Sequence, residues 1–302
     1  MRKIYYLYII SAAALWGGIG VFFNILSDVG FSQMQVVTIR VVAAAVALTP
    51  YIIAKDPSMM KIRVRDLWCF IGTGVISLLM FNWCYFTAIK ETSLAVAAVL
   101  LYTSPIFVML LSAILFHERI NAQKVTALIA TFTGCVCVAG LFGSGSRSFS
   151  AMGILAGIGS GLGYAFYSIF SRYALERGYS STVISEYTFI FASLGSIPFS
   201  GMGKVLPLLV NPMAVFGALG IGVLCCAFPF ILYTRGLSHV ENGKASIMAT
   251  VEPAVAAILS HVLYGEDLTG LKGIGILLIF ASVILLNYDF TKWKRSADTK
   301  RT

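Results

Sequence analysis

Ten apolar runs separated by short polar loops order this chain: Ile4 to Leu26, Ser32 to Ala54, Leu67 to Ala88, Ser93 to Phe116, Gln123 to Phe142, Met152 to Arg172, Thr182 to Gly201, Pro212 to Thr234, Lys244 to Leu263 and Gly270 to Tyr288. A helix rising about 1.5 Å per residue needs about 20 apolar residues to cross about 30 Å of hydrocarbon, so each run predicts a transmembrane helix. Arg2 and Lys3 precede the first run, as they do in a secretory signal. Its apolar stretch is longer than a signal core of about 7 to 15 residues and further runs follow it, which predicts a retained helix.

The loops carry an orientation signal. One set of loop ends holds seventeen basic residues: Arg2, Lys3, Lys55, Lys61, Arg63, Arg65, Arg119, Lys124, Arg172, Arg177, Arg235, Lys244, Lys292, Lys294, Arg295, Lys300 and Arg301. The other set holds four, Lys90, Arg147, Lys204 and Lys272, while Arg40 lies inside a run. Basic residues in short loops stay on the cytoplasmic side, so both termini are predicted there.

The pattern repeats. At a shift of 148 residues (252 minus 104), the stretch Thr103 Ser104 Pro105 through Phe116 His117 Glu118 Arg119 returns as Val251 Glu252 Pro253 through Tyr264 Gly265 Glu266 Asp267. The same shift carries Ala97 to Ala245, Tyr85 to Tyr233 and Trp16 to Tyr164. Each half, residues 4–142 and 152–288, holds five runs, and an odd number makes the second half enter the membrane from the opposite side. The prediction is an all-α integral membrane protein of ten transmembrane helices in two inverted five-helix repeats, an architecture suited to alternating access. Gly143 to Ser148 is a small polar joint between the halves, and residues 289–302 form a basic cytoplasmic tail.

Composition narrows the class. The 302 residues are 58% hydrophobic and 12% charged, against about 45–50% and about 25% in soluble domains. With a mean hydropathy of +0.87, one core could not hide the apolar residues from water, which excludes a soluble globular protein. The net charge of +9 sits between and after the apolar runs, so it reads as orientation and predicts no nucleic-acid partner. All six cysteines lie in apolar runs without zinc spacing, so neither metal nor cofactor is expected.

Two five-helix units carry an aromatic near the middle of the first helix (Trp16, Tyr164), Pro in the fourth (Ser104 Pro105, Glu252 Pro253) and a Glu closing it (Glu118, Glu266). In these features the chain resembles the EamA family of the drug/metabolite transporter superfamily, from about Tyr8 to Asn287. The resemblance implies a ten-helix secondary transporter, commonly an exporter of amino acids or related small metabolites.

The residues then suggest where transport happens. Pro105 and Pro253 sit mid-run at repeat-equivalent positions, where a helix-interior Pro frees the carbonyls of Leu101 and Ala249. Such matched interruptions point to a transporter's site or gate; a static kink is the other reading. Arg40 and Glu252 each lie about 12 Å into the hydrocarbon at 1.5 Å per residue, too costly to face lipid. They serve either as a carboxylate site and an ammonium or proton site, or as a structural pair with each other. Trp16, Tyr164 and Tyr167, next to Gly17, Gly20, Gly159 and Gly163, are candidates to wall a cavity; packing is the alternative. Trp83 and Tyr102 are further substrate-binding candidates, with Asn24, Asn82 and Tyr233 of the same kind. Gly153, Gly157 and Gly161 form a small-residue stripe for a close helix contact within the chain or for a dimer seam. Glu186 reads as interfacial, and Glu118 and Glu266 as gate, loop cap or solvated ends; His117, His239 and His261 show no metal spacing.

No intramembrane aspartate pair, Ser–His set or HExxH is present, so an enzyme is not expected. A channel or a receptor is the alternative class, since inverted repeats also occur in channels; the mid-span prolines and the unequal charges of the halves modestly favour alternating access. Among carriers, a nucleotide-sugar or phosphorylated-metabolite exchanger should have several deep basic residues, and a lipophilic-cation exporter would use Glu252 and the aromatics. One plus and one minus charge suit a zwitterionic amino acid. The expected protein is a carrier in the inner or plasma membrane, in contact with lipid, a monomer or weak homodimer, exporting small metabolites.

Overall fold

The computed structural model describes residues 2–140 and 150–287; the expected joint at Gly143 to Ser148 and the basic tail at 289–302 lie outside the described residues. Helical rods follow one another with short connections: α1 (Lys3–Val29), α2 (Gln33–Lys55), α3 (Val64–Glu91), α4 (Leu94–Leu115), α5 (Ala122–Ala139), α6 (Ala151–Glu176), α7 (Ser181–Ser200), α8 (Pro212–Leu237), α9 (Asn242–Tyr264) and α10 (Gly270–Asn287). Among the described residues, nine are long and apolar enough to cross a membrane, and none forms a strand. The 20-residue α7 is more polar, because it carries Glu186 and five serines.

Side chains such as Leu7, Val46, Ile114, Ile129, Leu155, Leu194, Val262, Leu277 and Ile284 point away from the bundle. An apolar exterior around a buried interior is what lipid selects.

Several rods are interrupted, and apart from a break of α1 at Gly18, which α6 lacks, the interruptions repeat. In α3 the hydrogen-bond ladder widens to a π-helical stretch over Gly72–Leu79, and in α8 over Gly220–Ala227, each end 148 residues from its counterpart. The fourth and ninth rods also break. In α4 the first segment, Leu94–Leu101, ends before a second begins at Ser104, and α9 changes segment at Thr250, between Asn242–Ala249 and Val251–Tyr264. Pro105 and Pro253 therefore stand in the first turn of a new segment and not, as expected, in a helix interior. There the missing N–H removes no ladder bond, so each proline starts a segment and the break falls just before it.

Packing between the halves is reciprocal. The first rod α1 packs on α8 and α9, and its counterpart α6 packs on α3 and α4. A Cβ on Gly72 would lie 2.4 Å from the Phe170 ring, and one on Gly220 would lie 2.1 Å from the Phe22 ring; both members of the two pairs are 148 apart. The fifth and tenth rods pack on each other, the backbones meeting at Gly134 and Gly275. The Gly153, Gly157 and Gly161 stripe is filled by α4 and the end of α3 in the same chain, against Glu91 and Thr92, Leu100, and Thr103 respectively.

Basic residues gather at one end of the bundle, around cavities lined by Lys55, Arg172 and Arg235, by Lys61, Arg63 and Arg177, and by Arg119. There Arg177 pairs with Asp66 at 3.1 Å, and Tyr179 donates to the same carboxylate at 2.8 Å. Burial raises the Tyr179 phenol above its ordinary range, although the Arg63 backbone N–H bonded to its oxygen acts the other way.

A Cβ on Gly134 would lie 2.8 Å from the Gly275 carbonyl oxygen, an atom that cannot move aside, whereas Gly273 has nothing within 4 Å. Gly134→Leu should therefore lower the unfolding midpoint of the purified protein, at a cost of about 1–3 kcal/mol for overpacking, while Gly273→Leu leaves it unchanged.

Candidate functional site

The π stretch of α3 and the break of α9 both border one cavity inside the bundle. It has a volume of about 60 Å³ and is walled by Trp16 and Ile19 of α1, Arg40 of α2, Ser77, Leu78 and Phe81 of α3, Tyr164, Tyr167 and Ser168 of α6, Phe230 and Tyr233 of α8, and Glu252 of α9. Ser77 and Leu78 come from the π stretch itself, and Glu252 from the first turn after the α9 break.

The aromatic side chains brace one another. The Trp16 ring lies edge-on to Tyr164 at 6.3 Å and to Phe230 at 5.4 Å, with Tyr233 at 5.3 Å; Phe81 meets Tyr164 at 5.7 Å. Hydroxyls then fasten α6 to α8. Tyr167 shares a hydrogen bond with Thr234 at 2.6 Å and Ser168 shares one with Tyr233 at 2.9 Å. Rings locked by neighbours and by buried hydrogen bonds keep the cavity wall in one arrangement.

The two charges are both in this wall. Arg40 is 9% exposed and its Nε is buried with no hydrogen-bond partner. Among the described residues every Lys–Glu, Arg–Glu and Arg–Asp ion pair within 4.0 Å lies elsewhere, so Arg40 and Glu252 share the cavity without pairing. A guanidinium and a carboxylate brought together in an apolar cavity and left unpaired are each open to a ligand of opposite charge.

Of the candidates read from the sequence, Trp16, Arg40, Tyr164, Tyr167 and Glu252 converge here, and Tyr233 joins them. Tyr102 stands one layer away, in a small cavity of about 10 Å³ that shares Tyr164 and Glu252. Trp83 does not reach the site: it is 63% exposed, on the outer face of α3. Pro105 and Pro253 are buried and shape the breaks without lining the cavity. Asn82 is occupied locally, donating to the Leu78 carbonyl at 2.7 Å, and Asn24 is exposed. Ile19, Ser77, Leu78, Phe81, Ser168 and Phe230 are cavity residues that the spacing did not single out. The π stretch rotates Ser77 and Leu78 off the 3.6-residue pattern, and only Gly72 and Gly74 hinted at irregularity there.

Glu186, expected near the interface, is enclosed by protein. It is fully buried where α7 meets α2, and it accepts a hydrogen bond from Thr49. No group of three or more metal-ligating side chains occurs among the described residues.

A many-helix bundle with an apolar exterior and an unpaired cation and anion in a central aromatic cavity has the design of a membrane transporter. The chain belongs to the EamA-like transporter family, whose model matches residues 3–140 and again 151–288. An Archaeoglobus fulgidus protein named an uncharacterized transporter is 30% identical over 92% of this chain and 94% of its own length. The Salmonella typhimurium uncharacterized inner membrane transporter YicL is 26% identical over 96% of this chain and 97% of its own. The Bacillus subtilis uncharacterized transporter YxxF is 27% identical over 73% of this chain and 70% of its own. A solved crystal structure shares the fold with a TM-score of 0.80 at 18% identity, covering 95% of this chain and 97% of that one.

Tyr167→Phe removes the partner of the buried Thr234 hydroxyl. It should lower the unfolding midpoint in detergent by the equivalent of about 1–3 kcal/mol, whereas Trp83→Leu on the outer face leaves it in place.

Proposed function

We propose that this protein is an alternating-access secondary carrier that exports small amphipathic metabolites, foremost amino acids, across the inner or plasma membrane. In this reading ten transmembrane helices form two inverted five-helix repeats and both termini lie in the cytoplasm. The observation that carries it is the unpaired Arg40 and Glu252 in one aromatic-walled cavity. A zwitterion supplies a carboxylate for Arg40 and an ammonium for Glu252, and its side chain meets Trp16, Tyr164 and Phe230.

Several features support the wider architecture. The π stretches, the paired breaks and the reciprocal α1–α8 and α6–α3 packing recur at one shift of 148 residues, as two related halves working against each other require. Basic residues crowd one end, which supports a cytoplasmic position for that end. With its glycine stripe occupied by α4, α6 needs no second copy, so the carrier works as a monomer or in a weak homodimer. A dianionic phosphate substrate is disfavoured because Arg40 is the lone cation of this cavity wall. A lipophilic cation remains the second reading, since Glu252 among aromatic faces suits one.

Counterflow of labelled amino acids into liposomes holding the purified protein tests this. The native chain should show saturable counterflow, and Arg40→Gln should raise KM at least about tenfold, since a charge-assisted contact contributes about 1.5–3 kcal/mol. Glu252→Gln should weaken zwitterions and cations but spare simple carboxylates. Cation counterflow that survives Arg40→Gln and vanishes in Glu252→Gln would replace the amino-acid reading with the cation one.

A further inference from the structure

Two glutamates that close equivalent helices are delivered by the same turn and meet different partners. After α4 the chain turns through His117 at φ 54°, and after α9 through Gly265 at φ 68°, two positions 148 apart. In both turns the glutamate N–H reaches back to a serine carbonyl, Glu118 to Ser112 at 3.2 Å and Glu266 to Ser260 at 3.5 Å. At the basic end the Glu118 carboxylate then crosses to the start of α9. It accepts the Asn242 N–H at 2.7 Å and the Gly243 N–H at 3.1 Å, two orphan donors of a helix N-terminus. Lys124 braces the contact, 3.8 Å from Glu118 and 2.8 Å from Glu241.

At the opposite end the same parts stand disengaged. Glu266 is 58% exposed and its ion-pair partner is Lys272 at 3.8 Å, the residue 148 beyond Lys124. The donors that the repeat offers Glu266 are the N–H groups of Leu94 and Ala95 at the start of α4. Among the described residues no hydrogen bond joins Glu266 to them, and only one of the two reciprocal segment contacts is made. The Asn242–Ala249 segment packs on Ser104–Leu115, whereas Leu94–Leu101 makes no comparable contact with Val251–Tyr264. The hydroxyl bonds that fasten α6 to α8 have no counterpart either. Tyr167–Thr234 and Ser168–Tyr233 correspond to Ile19–Phe86 and Gly20–Tyr85, pairs that cannot form them.

We propose that Glu118 and Glu266 are the two halves of an alternating latch. In the state described here Glu118 holds the basic end shut on the N-terminus of α9; in the opposite state Glu118 lets go, and Glu266 takes the N–H groups of Leu94 and Ala95 to shut the other end. The latch rests on the carrier reading above. Since each end has backbone donors and its own carboxylate, whichever end is closed gains charge-assisted hydrogen bonds and the other carboxylate stays in water. That keeps the two states close in energy, as a carrier cycle needs.

Spin-label distances test the latch without any transport readout. The full chain is placed in lipid nanodiscs with its six cysteines replaced by alanine, and labelled at Arg119 and Ser238 for the basic end and at Leu94 and Asp267 for the other. Glu118→Ala should raise the population with the basic end open and the opposite end closed about tenfold, the scale of losing charge-assisted bonds. Adding Glu266→Ala should remove that gain. A Glu118→Ala distribution matching the parent, or a gain that survives Glu266→Ala, overturns the proposal. Where Glu118→Ala fails to fold, Glu118→Gln, which keeps one acceptor, is read by the same criteria. Absent counterflow with these distance shifts sinks the carrier reading alone, and counterflow with unmoved distances sinks the latch alone.

Discussion

Inside a bilayer a backbone N–H or C=O that the helix ladder does not satisfy has no water to turn to, and this constraint governs the rest of the structure. Irregular backbone is tolerated only where it faces protein or a cavity. The π stretch of α3 and the breaks of α4 and α9 accordingly border two neighbouring cavities that share Tyr164 and Glu252. The cost of charge in hydrocarbon acts the same way on Arg40 and Glu252, which leave the lipid face and meet in one wall. These neighbouring cavities therefore collect unusual backbone and unusual side chains for one reason.

Duplication supplies the frame and departures from it supply the chemistry. Glycines let the halves grip each other through equivalent contacts, Gly72 against Phe170 and Gly220 against Phe22. Within that frame the deep carboxylate Glu252 answers to neutral Ser104, and the hydroxyl-rich Tyr167 and Ser168 answer to Ile19 and Gly20. The shared contacts set the shape, while the unmatched ones put a carboxylate in the cavity wall and fasten α6 to α8.

Much of this was legible in the sequence, because membrane burial is written in long apolar runs and a duplication is written in spacing. The positions of the rods and the recurrence at 148 residues follow from those two signals, and Trp16, Tyr164, Tyr167, Arg40 and Glu252, singled out as cavity candidates, do line one cavity. Even the displaced prolines were informative, since Pro105 and Pro253 lie beside the breaks although they start segments where an interior kink was expected.

Other features were decided only when the helices packed, since an apolar run has no marked inner face when lipid and core are equally apolar. Trp83 on the outer surface and Tyr233 in the cavity wall lie in similar runs and differ only by rotation about their helices. Glu186, close enough to a run's end to look solvated, is buried because α2 lies across it with Thr49. Spacing could place Arg40 and Glu252 at matching depth, but their lateral separation depends on how α2 and α9 cross, and that left the two charges in one wall without an ion pair between them. The sequence by itself thus determined which segments form long apolar helices and that their pattern recurs. Only the tertiary structure decided which faces turn inward, because that depends on which helix stands beside which.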